Sequence, residues 1–208
     1  MTNSSRNGAI AATVRIAAGS DRSHYDSFSI ILHWATVVLV VLLFVLAEVW
    51  GFLPRPQRHL LVVAHMSFGV ILTAVIVARV AWRLTPGHQV SPAVTGWVEI
   101  AAKSVHYVLY GLLAAQALLG FAIRWSGENP KGMSFFGLLI PSPFGPSSKA
   151  LHELFEETHD WLAWAIIIIA AGHAVAALYH QYVLKDDVLR RMLPDGRARQ
   201  SGRTSSRP

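Results

Sequence analysis

The sequence predicts an all-α fold, an integral membrane bundle of four helices in up-down-up-down order. Of its 208 residues, 53% are hydrophobic and only 14% are charged. Soluble domains carry about 25% charged residues, so this composition is typical of a membrane protein. Four apolar stretches are long enough to cross the hydrocarbon core of a bilayer, which takes about 20 helical residues.

The predicted helices cover residues 28–50, 60–84, 97–123 and 159–183. Tryptophans stand at or near their ends, as is typical of the headgroup boundary. We predict a polar N-terminal tail at 1–27, a membrane domain at 28–194 and a basic, disordered C-terminal tail at 195–208. The long connection 124–158 is rich in Pro, Gly and Ser, and we expect it to cap one side, with a short amphipathic helix over 150–157.

The distribution of basic residues predicts the orientation in the membrane. With four spans, both termini lie on one side, and that side holds thirteen Lys and Arg residues against five on the other. Because cytoplasmic loops carry the excess of Lys and Arg, both termini are expected in the cytoplasm. The net charge of +6 therefore reflects topology, and the basic tail suits anionic lipid headgroups; nothing indicates nucleic-acid binding.

The residue types exclude several kinds of chemistry. The chain has no cysteine, which rules out disulfides, thiolate zinc sites, iron-sulfur clusters and a cysteine nucleophile. We find no Gly-rich phosphate loop after a strand and no Ser/His/Asp arrangement in the context of a known nucleophile turn. Any redox chemistry therefore needs another cofactor.

Four histidines inside the predicted spans form two pairs. His159 and His173 are separated by 14 residues, a rotation of about 1400° and a rise of about 21 Å, so both leave the fourth helix on one face. His33 lies five residues into the first span, and His65 lies five residues into the second, which runs the opposite way. The predicted pairs are His33 with His173 towards the cytoplasm and His65 with His159 towards the periplasm.

Two bis-histidine sites stacked across a helical bundle suit two b haems, with these four histidines as axial ligands of the iron. Zinc fits poorly, because two ligands per site without a nearby carboxylate or thiolate do not make its usual four. Gly69, one turn beyond His65, would let a flat ring approach the backbone, although small residues also serve helix packing.

Other polar residues in the spans have two readings each. Arg79 shares the face of His65 and reaches the depth of the cytoplasmic pair, where it would pair with a haem propionate or simply extend to the headgroups. His106 is the alternative to His33 as the cytoplasmic-side ligand, but it lies nine residues into its span and is expected deeper than His173. His180 is a candidate for proton delivery or quinone contact, or an interfacial anchor.

These residues stand in a pattern that resembles the bacterial cytochrome b561 family, and most closely its superoxide oxidases. The similar stretches are "SIILHW", "EVWGFLPR", "AHMSFGV", "GENP", "FFGLLIP", "THDWLAW", "GHAVAALYH" and "KDDVLRRMLP", and together they cover about residues 28–194. The spacing of 32 from His33 to His65 and of 14 from His159 to His173 matches the four haem ligands of that family.

The resemblance implies a cytochrome of the bacterial inner membrane that oxidises periplasmic superoxide to dioxygen and passes the electrons through two b haems to ubiquinone. His180, Lys103 and Arg83 are then the candidates for binding the quinone or delivering protons. A cationic entry for superoxide would use residues of the periplasmic side, namely Arg55, Arg58, Arg124, Lys131 and Lys149. The alternative function is a haem b subunit that relays electrons between quinone and a separate redox partner protein. A transporter or scaffold without haem is disfavoured by the four-ligand geometry.

Overall fold

Four long helices dominate the computed structural model, which describes residues 25–85, 95–130, 132–186 and 188–193. They are α1 (Ser27–Trp50), α2 (Arg55–Leu84), α3 (Trp97–Trp125) and α4 (Lys149–Tyr179). Each helical segment is long and apolar enough to cross a membrane, which confirms the predicted four-helix membrane bundle. The predicted tail 195–208 and residues 1–24 of the predicted tail 1–27 lie outside the described residues.

Helices α2 and α4 begin earlier than predicted. Helix α2 starts at Arg55, five residues before the apolar stretch, because a proline in its first turn suits a helix N-terminus. Helix α4 starts at Lys149, where the Ser148 hydroxyl accepts a hydrogen bond from the amide of Leu151 at 3.3 Å. Residues 150–157 are helical as predicted, but they form the first turns of α4 instead of a separate short helix. No Pro or Gly interrupts 149–171, so this segment and the last span form one helix.

An unpredicted hairpin joins α3 to α4. Strand β1 (Met133–Phe135) pairs antiparallel with β2 (Leu138–Ile140), with Met133 opposite Ile140 and Phe135 opposite Leu138. After α4 the backbone continues as a π-helical turn, His180–Leu184, and a short 3₁₀ turn, Arg190–Met192. We call the end of the bundle where α1 begins and α4 ends the terminal end, and the opposite end the hairpin end.

All four helices contribute to a small apolar core. Its buried members are Leu39, Leu43, Leu72, Ile76, Leu113 and Ile166. Many other large apolar side chains point outward, such as Val38, Val77 and Ile168, each more than 60% exposed. Lipid tails are as apolar as these side chains, so outward placement costs little in a bilayer. The bundle interior is thus left to a few residues, among them the histidines.

Asp26 begins α1 and ties it to α2. Its carboxylate accepts hydrogen bonds from the amide of Ser29 at 3.0 Å, from the Ser29 hydroxyl at 2.6 Å and from the indole N–H of Trp82 at 3.2 Å. Burial raises the pKa of this carboxyl, but the hydrogen bonds together outweigh burial and hold the pKa below its usual value. The ionised form is therefore the one that the fold stabilises.

Asp26→Ala is expected to lower the free energy of unfolding by about 1 kcal/mol at pH 7, the usual loss for an N-cap carboxylate. Because the folded pKa lies below the unfolded one, the stabilisation is present at neutral pH and disappears as the pH falls below about 4. Thermal denaturation in detergent at pH 7 and pH 3 measures both effects. An equal destabilisation at the two pH values would contradict this role of the charge.

Candidate functional site

A first histidine pair lies at the hairpin end. The ring centroids of His65 on α2 and His159 on α4 are 6.4 Å apart. Nδ1 of His65 lies 3.0 Å from the carbonyl oxygen of Leu43, and since a carbonyl only accepts, Nδ1 carries the proton. The Trp50 ring packs edge-on against His65 at 5.1 Å. These contacts fix the orientation of the ring and leave Nε2 with its lone pair, as a metal-ligating histidine requires.

His159 has unsatisfied hydrogen-bonding capacity. Its Nδ1 is buried without a hydrogen bond of good geometry, although the imidazole interacts with the backbone of Gln116. Buried polar groups are nearly always paired, so an unpaired imidazole nitrogen beside a second imidazole indicates a binding function. The site therefore has ligand atoms to offer.

The separation of the two rings suits a metal between them. Metal–nitrogen bonds to histidine are about 2 Å long, so two opposed imidazoles have centroids about 6 Å apart. The observed 6.4 Å fits this value. A Cβ added at Gly69 would meet no atom within 4 Å, so this face of α2 admits a flat ring. Among the described residues, no three His, Asp or Glu side chains form a group that could hold a metal ion.

A second cluster lies at the terminal end and contains His33, His106, His173 and Arg79. The rings of His106 and His173 are 4.9 Å apart. Nη2 of Arg79 lies 2.9 Å from Nδ1 of His33, so this nitrogen accepts from the guanidinium. Nδ1 of His106 donates to the carbonyl oxygen of Ala102 at 2.6 Å. His33 is also near enough to both other histidines to interact electrostatically with them.

The structure thus brings both predicted partners of His173 to the same cluster. The expectation that His106 lies deeper than His173 is wrong, because His173 is itself eleven residues from the end of the helical segment at Leu184. His106, nine residues from the start of α3, reaches the same level. Arg79 lies at the depth predicted for it, and its guanidinium also packs on the Tyr110 ring, 5.1 Å from the centroid.

The three candidates for quinone contact occupy different surroundings. Arg83 lines a recess at the terminal end together with Tyr25, Ser29, Arg79, Trp82 and Tyr110. Lys103 and His180 do not line this recess. Lys103 is half exposed and pairs with Glu99 at 2.5 Å. His180 lies in the π-helical turn, where its Nδ1 is 2.6 Å from Oδ2 of Asp186.

Asp186 and the π-helical turn were not predicted from the sequence. Their signal was the close spacing of His180 and the acidic "KDD" that follows it, which the analysis quoted only as part of the resemblance. The turn ends at Lys185, a non-glycine residue with φ of 56°. This left-handed residue ends the helix, and the chain turns back so that Asp186 faces His180.

A polar recess at the hairpin end contains two of the predicted cationic entry residues. It is lined by Arg124, Ser126, Gly127, Glu128, Lys149 and His152. The Ser126 hydroxyl lies 2.9 Å from Nδ1 of His152, two residues that the sequence analysis did not identify.

The remaining predicted entry residues lie elsewhere. Arg58 donates to the carbonyl oxygens of Trp50 and Gly51, at 3.2 and 3.1 Å, so it stabilises the α1–α2 turn. Arg55 begins α2, and Lys131 lies outside the described residues.

Comparison with known proteins matches this chain to one family over most of its length. The profile of the family described as "Prokaryotic cytochrome b561" matches residues 24–195. The Escherichia coli protein named "Cytochrome b561 homolog 2" is 30% identical over 81% of this chain and 90% of its own. The Yersinia pestis protein named "Probable superoxide oxidase CybB" is 30% identical over 83% and 97%. The Cereibacter sphaeroides protein named "Cytochrome b562" is 28% identical over 81% and 94%.

Proposed function

This chain belongs to the prokaryotic cytochrome b561 family, membrane proteins that bind haem b and transfer electrons, and we propose that it oxidises superoxide and reduces ubiquinone. In this proposal the chain lies in the bacterial inner membrane with both termini in the cytoplasm. Two superoxide anions lose one electron each to give two dioxygen molecules, and one quinone takes up both electrons and two protons to give quinol. The name of the Yersinia pestis relative supports this choice of donor.

The paired rings of His65 and His159, with centroids 6.4 Å apart, are the observation on which the proposal rests. We propose that they hold one b haem and that His33 and His173 hold a second at the terminal end. A haem held by these histidines would supply a one-electron carrier. Arg79 is then free to pair with a propionate, since a carboxylate is a stronger partner for a guanidinium than a neutral imidazole. The protein's own task is to orient the imidazoles, and Leu43 and Trp50 do this for His65.

We propose that superoxide enters at the hairpin-end recess. Arg124 lines it and is held in place by donating from Nε to the carbonyl oxygen of Gly132 at 3.1 Å. Lys149 lies beside it but shares its charge with Glu153 at 3.3 Å. A fixed cation raises the local concentration of a small anion and hence the encounter rate. Arg124 therefore contributes more than Lys149, and the effect should weaken as salt is added.

For quinone reduction we propose that His180 delivers a proton and that Asp186 orients it. Nδ1 bonds to the carboxylate, so Nε2 is the nitrogen that faces other groups. Arg83 and Lys103 contribute positive charge at the same end of the bundle.

His180→Leu is expected to slow quinone reduction by about 100-fold, the lower range for loss of a positioned proton donor. Reduction of the haem by superoxide should be unchanged, because that step takes up no proton. The two steps are measured separately by following the haem absorption with superoxide alone and then after addition of a ubiquinone analogue. Tyr182→Leu, at a 72% exposed residue of the same π-helical turn that has no role in the proposal, serves as the comparison. An unchanged rate of quinone reduction in His180→Leu would show that His180 does not deliver the proton.

The first experiment on the whole proposal uses the purified protein in detergent. Haem per chain is quantified, superoxide is generated enzymatically, and the haem absorption band is followed before and after quinone is added. Haem that superoxide reduces and quinone reoxidises supports the proposal. Haem that stays oxidised would overturn the superoxide activity while leaving the cytochrome.

A second function is favoured by one surface feature. The first turns of α4 carry exposed acidic side chains at Glu153, Glu156 and Glu157, beside the hairpin-end recess. Such a surface repels superoxide and would suit a basic redox partner protein. We therefore keep, as the alternative, a haem b subunit that relays electrons between that partner and quinone. Reduction of the haem by superoxide without a partner protein would favour the superoxide oxidase over this alternative.

A further inference from the structure

The hairpin between α3 and α4 is apolar and free of charge. Residues 132–148 contain no Asp, Glu, Lys, Arg or His. The inner strand β1 begins at the buried Met133, which is 4% exposed. The turn and outer strand β2 expose large apolar side chains, with Phe136 at 58%, Leu138 at 70% and Leu139 at 67%. An aqueous cap would carry polar groups at these positions, so the composition does not suit water.

The hairpin is fixed to a membrane-spanning helix. The amide of Phe136 donates to the hydroxyl of Ser67 on α2 at 2.8 Å, and that hydroxyl donates to the carbonyl oxygen of Val63 at 2.7 Å. Ser67 is fully buried, and the rings of Phe68 and Phe136 pack edge to face at 5.9 Å. The backbone of the turn thus has a hydrogen-bond partner where water is scarce.

The contact lies within the apolar part of α2. Ser67 is seven residues beyond Leu60, where the apolar stretch begins, which is about 10 Å along the helix. Interfacial elements bury their apolar faces about 5–10 Å into the boundary between headgroups and acyl chains. The tip of the hairpin lies at this depth. Its exposed side chains therefore continue the outward apolar surface of the bundle.

We propose that residues 133–140 form an interfacial anchor whose outer strand contacts lipid acyl chains. The two-stranded sheet leaves the outer edge of β2 without a strand partner in the described part of the chain. Open sheet edges do not occur within the hydrocarbon core, so the hairpin lies at its boundary and not in its centre. This inference is independent of the donor and acceptor in the proposed function.

Backbone geometry at Gly132, Phe136 and Gly137 shapes the hairpin. Gly132 has φ of 74°, and a Cβ there would come within 2.5 Å of the carbonyl oxygen of Ile140. Gly137 and Phe136 also have positive φ, 90° and 46°, and they form the tight turn. Leu138 and Leu139 point to opposite faces of β2, yet both are exposed, at 70% and 67%. Leu138 is the better probe, since Leu139 approaches Gly132.

Single-cysteine variants test the anchor, because the chain has no cysteine of its own. Leu138→Cys is labelled with a nitroxide in the haem-loaded protein, in nanodiscs of phosphatidylethanolamine and phosphatidylglycerol. Collision with dioxygen, which concentrates in lipid, and with a water-soluble nickel chelate is measured by electron paramagnetic resonance. Val77→Cys, 62% exposed on α2, is the lipid-facing control. Glu128→Cys, in the same connection, is the aqueous control.

We expect the label at 138 to resemble that at 77, with dioxygen collisions at least about threefold above those with nickel. A label at 138 that resembles 128 would place the hairpin in water and overturn the proposal. Low collision rates with both reagents would mean that protein covers the strand, for example a second copy, and would overturn it as well. The measurement does not involve superoxide or quinone, so its outcome is independent of the proposed function.

Discussion

Replacing His159 with alanine is expected to lower the haem content from about two per chain to about one and to abolish reduction by superoxide. Removing a residue that hydrogen-bonds to a metal ligand already lowers the affinity for the metal by about 10–100-fold, and removing the ligand itself should lower it further. The remaining imidazole, His65, keeps its hydrogen bond to Leu43 but has no opposed ring at 6.4 Å. The haem at the terminal end should remain, since His33 and His173 are unchanged.

The matched control for His159→Ala is His59→Ala. His59 is exposed at the same end of the bundle and stands outside the paired rings. His65→Ala should reproduce the loss, because the proposed site needs both imidazoles. Circular dichroism and size-exclusion chromatography show whether each variant keeps its helices. A folded His159→Ala protein with its full haem content would contradict the hairpin-end site.

The membrane bundle was predictable because the signal is long and redundant. Each span needs about 20 apolar residues, and each observed helix contains its predicted span apart from minor differences at the ends. The two histidines of α4 were placed on one face by the 3.6-residue period alone, and the structure brings His159 to His65 and His173 to the terminal cluster. Helix geometry over 14 residues leaves little freedom for error.

Features that depend on a few tertiary contacts were not predictable. The hairpin is held to α2 by the hydrogen bond to the Ser67 hydroxyl and by the contact between the Phe68 and Phe136 rings. Its three-residue strands are too short to show a recognisable periodicity in the sequence. A helix over 150–157 was predicted, but its continuity with the last span was not, although no residue between them breaks a helix. The depth of His106 was misjudged because its position was counted from the start of α3, whereas the distance of His173 from the end of its own helix was not considered.

The second large effect concerns which histidine faces His173. We expect His33→Ala to remove the haem at the terminal end and His106→Ala to retain it. The rings of His106 and His173 are 4.9 Å apart, closer than the roughly 6 Å that an iron between opposed imidazoles needs. His33 belongs to the same cluster, and its contact with Arg79 is one that a propionate would take over.

The hydrogen bonds of His33 and His106 favour the opposite assignment, with His106 as the ligand. Nδ1 of His106 donates to the Ala102 carbonyl, which leaves Nε2 free as in an axial ligand, whereas Nδ1 of His33 accepts from Arg79. Arg79→Gln separates the two readings, because a neutral amide can still contact His33 but cannot neutralise a propionate. If His33 is the ligand, His33→Ala loses about one haem per chain, and Arg79→Gln keeps the haem but shifts its potential downward. If instead His106→Ala loses the haem and His33→Ala keeps it, the terminal-end pair is His106 with His173, and the assignment of His33 is wrong.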